Sequence, residues 1–421
     1  MSRWLQERAK KLFFDSLRDL QGGFLEIVCP DETYVFGEPG TSLRAMAVIH
    51  DERFFVRAVT AADVGIGESY MEGEWTSPDV VALVRLCVRN LRNLDSRHKF
   101  LSVARGLLSR MRHRSRSNTV NGSRKNIRAH YDLGNDFYRL FLDSQMLYSS
   151  AYFLSGDDSL ETAQTRKLDL ISHKLQIEPG DRVLEIGCGW GAFAIHAARD
   201  YGARVTAVTI SQAQFDCAAE RLARTDLGGG HVRLVLQDYR KLEGEFDKIV
   251  SIEMFEAVGF AHYDDFFGAC DRLLTKDGAM LLQTITLSEQ EVSAYRKRVD
   301  WIQTYIFPGS ELASVARIQK SLARCTRMGL THLENMGLHY AKTLAAWRER
   351  FFERLGDVRR LGFDERFQRM WDFYLAWCEG AFRERYINVG QLLLAKQGTQ
   401  KALLGDPVIS ESALPSDSVP L

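Results

Sequence analysis

Apolar residues recur at helical spacing over residues 4–20, WLQERAKKLFFDSLRDL, where Trp4, Leu5, Ala9, Leu12, Phe13, Leu17 and Leu20 fall near one face. Arg3, Arg8, Lys10, Lys11 and Arg18 occupy the rest. The segment is read as a helix packed on its own domain, with an interfacial, lipid-touching helix as the alternative. Short β-rich runs follow, FLEIV, TYVFG, LRAMAVIH and RFFVRAV, punctuated by Pro30, Gly37, Pro39 and Gly40. Helical patterns around ADVGIGESYMEGEW and PDVVALVRLCVRNL complete a small α+β domain over residues 1–100. No acids, bases or metal ligands group together in it, so it reads as a lipid-binding or docking module.

From about residue 160 the pattern changes. RVLEIG, ARVTAV, VRLVLQ, DKIVSI and AMLLQT are strand-like runs separated by helical segments. Such alternation predicts a parallel sheet with crossover helices on both faces. After Thr286 the chain turns mostly helical, with aromatic-rich stretches at 298–308 and 345–386. Residues 396–421 are polar with three prolines and read as a flexible tail.

Charge changes this picture only locally. Lys+Arg and Asp+Glu are equal at 55 each, so nothing in the overall balance calls for nucleic acid. Between 101 and 125, however, lies a basic linker. Arg105, Arg110, Arg112, Arg114, Arg116, Arg124, Lys125 and Arg128 stand in and around it with no acid among them. A solvated tether is the plain reading. Against an anionic membrane each such residue contributes roughly 1 kcal/mol, so the linker is also a candidate membrane contact. The seven cysteines are scattered without a CxxC pair, which argues against a disulfide framework or a thiolate metal site and fits a reducing cytosol. No metal is expected, and no apolar run is long enough to span a bilayer.

The chemistry concentrates in the alternating region. VLEIGCGWG, Val183 to Gly191, is a hydrophobic strand running into Gly187, Gly189 and Gly191. In a parallel sheet ligands bind beyond the carboxyl ends of strands, where glycines let the backbone approach closely. Glu185 precedes the first glycine, and the spacing lacks the Gly-x-Gly-x-x-Gly of dinucleotide sites. This form suits the amino-acid end and ribose of S-adenosylmethionine. The second strand ends in Thr209, Ile210 and Ser211, with Gln214 on the next helix able to bond ribose hydroxyls. Gln237 and Asp238 follow the third strand, placed for the adenine amino group. MLYSSAYF, Met146 to Phe153, interleaves rings and hydroxyls and is either a pocket lining or a half-buried strand.

Taken jointly, AHYDLGNDFY, MLYSSAYF, LEIGCGWGAFAIHAA, VTISQAQ, LQDYR, IVSIEMFEAVG, YIFPGS and GAFRER resemble the cyclopropane-fatty-acyl-phospholipid synthases and mycolic acid methyltransferases over about residues 125–395. The resemblance implies a doubly wound α/β fold: a seven-stranded, Rossmann-like methyltransferase domain over 126–395 with a helical lipid-covering insertion. It further implies methyl transfer from S-adenosylmethionine to the cis double bond of an unsaturated phospholipid chain, forming a cyclopropane. C-methylation without ring closure is the alternative. The implied setting is cytoplasmic, peripheral at the inner face of an anionic membrane, as a homodimer without nucleic acid.

The resemblance also assigns residues. Tyr148 and Ser149 sit near the methionine part of the cofactor. A bicarbonate ion serves as base, with Glu256 and Tyr340 matching its carboxylate and tyrosine neighbours and His130 a third candidate. Two departures stand out: Ser150 where the family often has Cys, and Gln283 where it often has His. Both can hydrogen-bond a carbonate oxygen, but Gln283 cannot carry charge or shuttle a proton. Tyr148, Tyr152, Phe153, Phe255, Trp301, Tyr305 and Phe307 are candidates for an aromatic wall around a carbocation.

Overall fold

The computed structural model describes residues 3–98 and 133–399, without side chains for 92–98. The linker expected over 101–125, His130 and the tail from residue 400 lie outside the described residues.

The N-terminal part is a four-stranded sheet carrying helices. β1 (Phe24–Val28) pairs antiparallel with β2 (Thr33–Gly37) and parallel with β3 (Arg44–Ile49), and β4 (Trp75–Thr76) closes the order β2-β1-β3-β4. Its helices are α1 (Arg3–Leu17), α2 (Arg53–Met71) and α3 (Val80–His98). The RFFVRAV run, expected as a strand, is the start of α2. Phe54, Phe55, Ala58 and Val59 are its buried positions, and that i, i+1, i+4, i+5 spacing is helical, not alternating. Helix α1 buries Ala9, Ser16 and Leu17 and packs Phe13 edge-on against Phe54 and Phe55. Trp4, Leu5 and Leu12, expected on the same face, are exposed at 63%, 40% and 40%.

The second part is a seven-stranded sheet of order β10-β11-β9-β8-β5-β6-β7. The strands are β5 (Arg182–Ile186), β6 (Arg204–Thr209), β7 (His231–Leu236), β8 (Phe246–Ile252), β9 (Leu274–Leu287), β10 (Met328–Asn335) and β11 (Ile387–Lys396). β11 runs antiparallel to both neighbours; the other pairs are parallel. The periodicity of the sequence picked out five of these strands. β10 and β11 lie in the stretch read as mostly helical, and both join the sheet beyond β9. MLYSSAYF forms no strand; it crosses the strand ends as irregular chain.

Helix α4 (Leu160–Lys174) holds that segment in place. Ser159 caps it, accepting the Thr162 N–H. Its buried stripe, Leu160, Ala163, Gln164, Lys167, Leu168, Ile171, Ser172 and Lys174, mixes apolar residues with three long polar ones. Gln164 Nε2 donates to the Ser149 carbonyl at 2.9 Å, and Lys167 Nζ donates to Ser149 Oγ at 2.7 Å. A helical cover, α5 (Trp301–Tyr305), α6 (Gly337–Glu353) and α7 (Glu365–Arg383), joins the two parts. Tyr70 Oη donates to Asp372 at 2.5 Å, Tyr305 Oη to Glu68 at 2.8 Å, and Arg85 and Arg89 both grip Glu384 at 2.7 Å. One apolar core runs unbroken from the N-terminal sheet through this cover.

Candidate active site

All ten residues expected at the cofactor line one cavity of about 570 Å³: Tyr148, Ser149, Glu185, Gly187, Gly189, Thr209, Ile210, Gln214, Gln237 and Asp238. The turn after β5 is left-handed at Gly187 (φ 83°), Gly189 (φ 52°) and Gly191 (φ 82°), a path glycine follows without steric cost. A Cβ on Gly189 would meet no described atom within 4 Å, so the turn opens onto free space there. Glu185 is buried, and its Oε2 has no hydrogen-bond partner among the described residues. Burial pushes its carboxyl up to about 8. An ammonium group beside it would supply both the missing bond and the missing charge, as the amino-acid end of S-adenosylmethionine does. Thr209 Oγ1 donates to Gln214 Oε1 at 3.0 Å, which leaves the Gln214 amide nitrogen for a ribose. Asp238 caps the turn after β7, accepting the Arg240 N–H and two guanidinium bonds. The residues present fit the cofactor.

The second half of the site lies where β8 ends. Glu256 Oε1 accepts Thr284 Oγ1 at 2.9 Å and the Ile285 N–H at 2.5 Å, while Oε2 is buried without a partner among the described residues. Burial, with repulsion from Glu253 behind it, pushes the Glu256 carboxyl up to about 7. Tyr340 lines the same cavity, its phenol raised well above the ordinary value by burial and by the facing Glu253.

Ser150 and Gln283 do not line the cavity; they stand behind it, fully buried, and both point at Glu253. The Ser150 N–H and Gln283 Nε2 each donate to Glu253 Oε1 at 2.8 Å, and Tyr340 interacts with the same carboxylate. Ser150, Gln283 and Tyr340, three of the residues expected to hold a bicarbonate ion, are therefore engaged by a side chain of the protein, and as placed these three do not fit the free ion. Sequence reasoning passed over Glu253. Its signal was present: SIEMFEAVG carries a second acid, directly past the strand, three residues before Glu256. Lys167 was also missed. It is fully buried, with Glu253, Asp143 and Glu185 as charged neighbours, and burial pulls its ammonium down to about 8. A lysine on the apolar stripe of a helix was the available clue.

The expected aromatic wall is largely a different one. Only Tyr148 and Phe307 of the seven candidates border the cavity. Phe255 is core, packed on Tyr263, Phe266 and Phe267. Tyr152 stacks on His339, Phe153 lies under Lys342, Trp301 packs edge-on against Phe373, and Tyr305 is engaged with Glu68. Other rings that border it include Trp190 of the β5 turn and Phe373, Tyr374 and Trp377 of α7.

A glycine turn after the first parallel strand, an acid-lined cofactor pocket and a seven-stranded sheet with one antiparallel strand define an S-adenosylmethionine-dependent methyltransferase. Comparison places it more closely. The profile of the mycolic acid cyclopropane synthetase family matches residues 118–392, and the chain belongs to that family. It is 39% identical over 347 residues to the cyclopropane-fatty-acyl-phospholipid synthase of Escherichia coli K12, covering 82% of this chain and 86% of that protein. It is 38% identical over 343 residues to the tuberculostearic acid methyltransferase UfaA1 of Mycobacterium tuberculosis, covering 80% of this chain and 79% of that one. The crystal structure of mycolic acid cyclopropane synthase CmaA1 complexed with SAH and CTAB superposes with a TM-score of 0.61 at 35% identity, covering 65% of this chain and 98% of that one. The enzyme uses S-adenosylmethionine to modify lipid acyl chains.

Proposed function

We propose that the enzyme methylates the cis double bond of an unsaturated phospholipid acyl chain and that proton loss from the added methyl closes a cyclopropane. The observation that carries this reading is the continuity of the cavity. It runs from Gly187 and Ser149 past Glu256 and Tyr340, then between Leu287, Phe373 and Trp377 to Phe54 and Trp75 of the N-terminal part. A largely apolar cavity with convergent polar groups beside the cofactor residues suits a long chain delivered to a reacting centre. Bound S-adenosylmethionine supplies an electrophilic methyl, and its transfer leaves a carbocation on the acyl chain. Tyr148, Tyr374 and Phe307 border the cavity; a ring face turned toward a cation stabilises it by roughly 0.5–2 kcal/mol and offers no lone pair to trap it. The buried walls keep out water, which would.

A membrane surface is the proposed source of the lipid. Trp4, Leu5 and Leu12 are exposed on α1 beside Arg8 and Lys11, an apolar patch with basic neighbours that suits anionic phospholipid. Among the described residues no helix is long and apolar enough to cross a membrane. All seven cysteines are free, which suits the reducing cytosolic face.

Methyl branching without ring closure is the second reading, favoured by the tuberculostearic acid methyltransferase, whose identity to this chain nearly equals that of the cyclopropane synthase. Turnover on unsaturated phospholipid vesicles separates the two. The expected product gains one CH2, with no double bond left and the high-field proton signals of a cyclopropane, and forms faster on anionic than on neutral vesicles. A methyl or methylene branch as sole product would replace the first reading by the second.

A further inference from the structure

We infer that Glu253 stands in place of the bicarbonate ion, so that this enzyme carries its own base at the end of β8 and works without the free anion. The chemical step rests on the function proposed above; the occupancy of the cradle does not.

Three observations carry it. The first is convergence. The Ser150 N–H, the Gln283 amide and Tyr340 meet on one carboxylate, with Glu253 Oε1 at 2.8 Å from each nitrogen. Sheet register builds this arrangement, because Ile252 pairs with Gln283 and Gln283 pairs with Gln391 across β8, β9 and β11. The second is the direction of the Gln283 amide. Gln283 Oε1 accepts Gln391 Nε2 at 2.9 Å, and Gln391 Oε1 accepts Lys174 Nζ at 2.7 Å. A lysine has only protons to give, so both amides are turned with their NH2 ends away from it. Gln283 must therefore offer a donor to whatever faces it, and an ionised carboxylate is the matching acceptor. A glutamine aimed this way needs an acceptor opposite, which Glu253 Oε1 supplies.

The third is backbone geometry. Glu253 has φ 49°, a left-handed conformation that disfavours any residue with a Cβ. A glycine would relieve it, yet the chain keeps a carboxylate there and ties it to three groups. Burial raises the Glu253 carboxyl, and the bonds from Ser150, Gln283 and Tyr340, with the charge of Lys167, oppose that rise. In the reaction, the Glu253 carboxylate takes one proton from the added methyl. The electron pair of that C–H bond forms the third C–C bond of the ring and quenches the cation, and the carboxylic acid then returns its proton to solvent.

The variant that tests this is Glu253→Gly, which relieves the backbone and empties the cradle. Carbon-13 bicarbonate NMR with S-adenosylhomocysteine present should show no binding to the native enzyme and binding to Glu253→Gly. In carbon-dioxide-free buffer the native enzyme should turn over at its full rate, unchanged by added bicarbonate. Glu253→Gly should lose on the order of 10²–10⁴-fold and recover when bicarbonate is added. Glu253→Gln, which leaves the cradle full but uncharged, should lose as much and not recover. Bicarbonate binding to the native enzyme, or stimulation of it, overturns the inference; so does full activity of Glu253→Gly without the ion, which would make Glu256 the base. Should Glu253→Gly fail to fold, as judged by S-adenosylhomocysteine calorimetry, the native binding and depletion arms still decide. A native enzyme that yields no acyl product overturns the proposed function, while the binding arm still settles the cradle.

Discussion

Lys167 shows how much one buried charge does in this site. It donates to Ser149 Oγ, fixing the loop beside the cofactor, and faces Glu253, Asp143 and Glu185 through the protein interior. The Glu253 carboxyl is raised by burial and drawn back by its hydrogen bonds and by this ammonium. Lys167→Met removes the drawing-back, so Glu253 ionises at higher pH. The acid limb of the kcat–pH profile should move upward by about one unit, the low end for a charge partner, with the plateau above it kept. A profile that scales down without moving would make Lys167 a packing and loop-holding residue only.

At the scale of elements, two close approaches decide how the parts fit. α4 approaches the strand ends with Gln164, Lys167 and Lys174 on its buried face, so the helix serves as the frame of the site and not only as a cover. α2 approaches the helical cover at Gly67, where an added Cβ would lie 2.4 Å from the Trp301 ring and 2.9 Å from Phe373. Those rings pack on each other at 4.8 Å and have little room to yield. Gly67→Ala should therefore push α2 off α5 and α7 and cost about 1–3 kcal/mol. Thermal denaturation reads the loss, while S-adenosylhomocysteine affinity should stay unchanged, because the cofactor turn is built on the other sheet.

For the molecule as a whole, the buried acids set the dependence of stability on pH. Glu256 is raised to about 7, and Glu185 and Asp300 to about 8 and about 7, in each case first by burial. A carboxyl whose folded value lies above its unfolded one keeps its proton better when folded. Its stabilising effect is complete below about pH 4 and is lost as pH rises through 7 to 8. Each tenfold change in proton affinity corresponds to about 1.4 kcal/mol. Lys167 works the other way only above pH 8, where its depressed ammonium loses its proton before an unfolded lysine would. The cofactor-free enzyme should thus melt at lower temperature at pH 8 than at pH 5.5, and Glu256→Gln should flatten that slope. A melting temperature that rises across this window would contradict the buried-acid account.

Short-range pattern by itself determined the parallel core and the cofactor turn. Continuous apolar runs ending in glycines or polar residues report strands buried on both faces, and ligand residues at such ends need only local spacing to be seen. RFFVRAV was misread because a short apolar run suits either period, and its helical face is settled by packing against Phe13 of α1. β10 and β11 escaped because they enter the sheet from a helical context, where only the partner strand decides their form. The ring-bearing wall was mostly misassigned, since which face of a helix turns toward a cavity depends on what packs behind it. Glu253 marks the boundary most clearly. Its letter was in the chain beside Glu256, but its role required β8, β9 and β11 to bring Gln283 and Gln391 alongside and the 146–153 segment to present the Ser150 N–H. A carboxylate becomes a site only when donors from distant parts of the chain converge on it, and that convergence is a property of the tertiary structure.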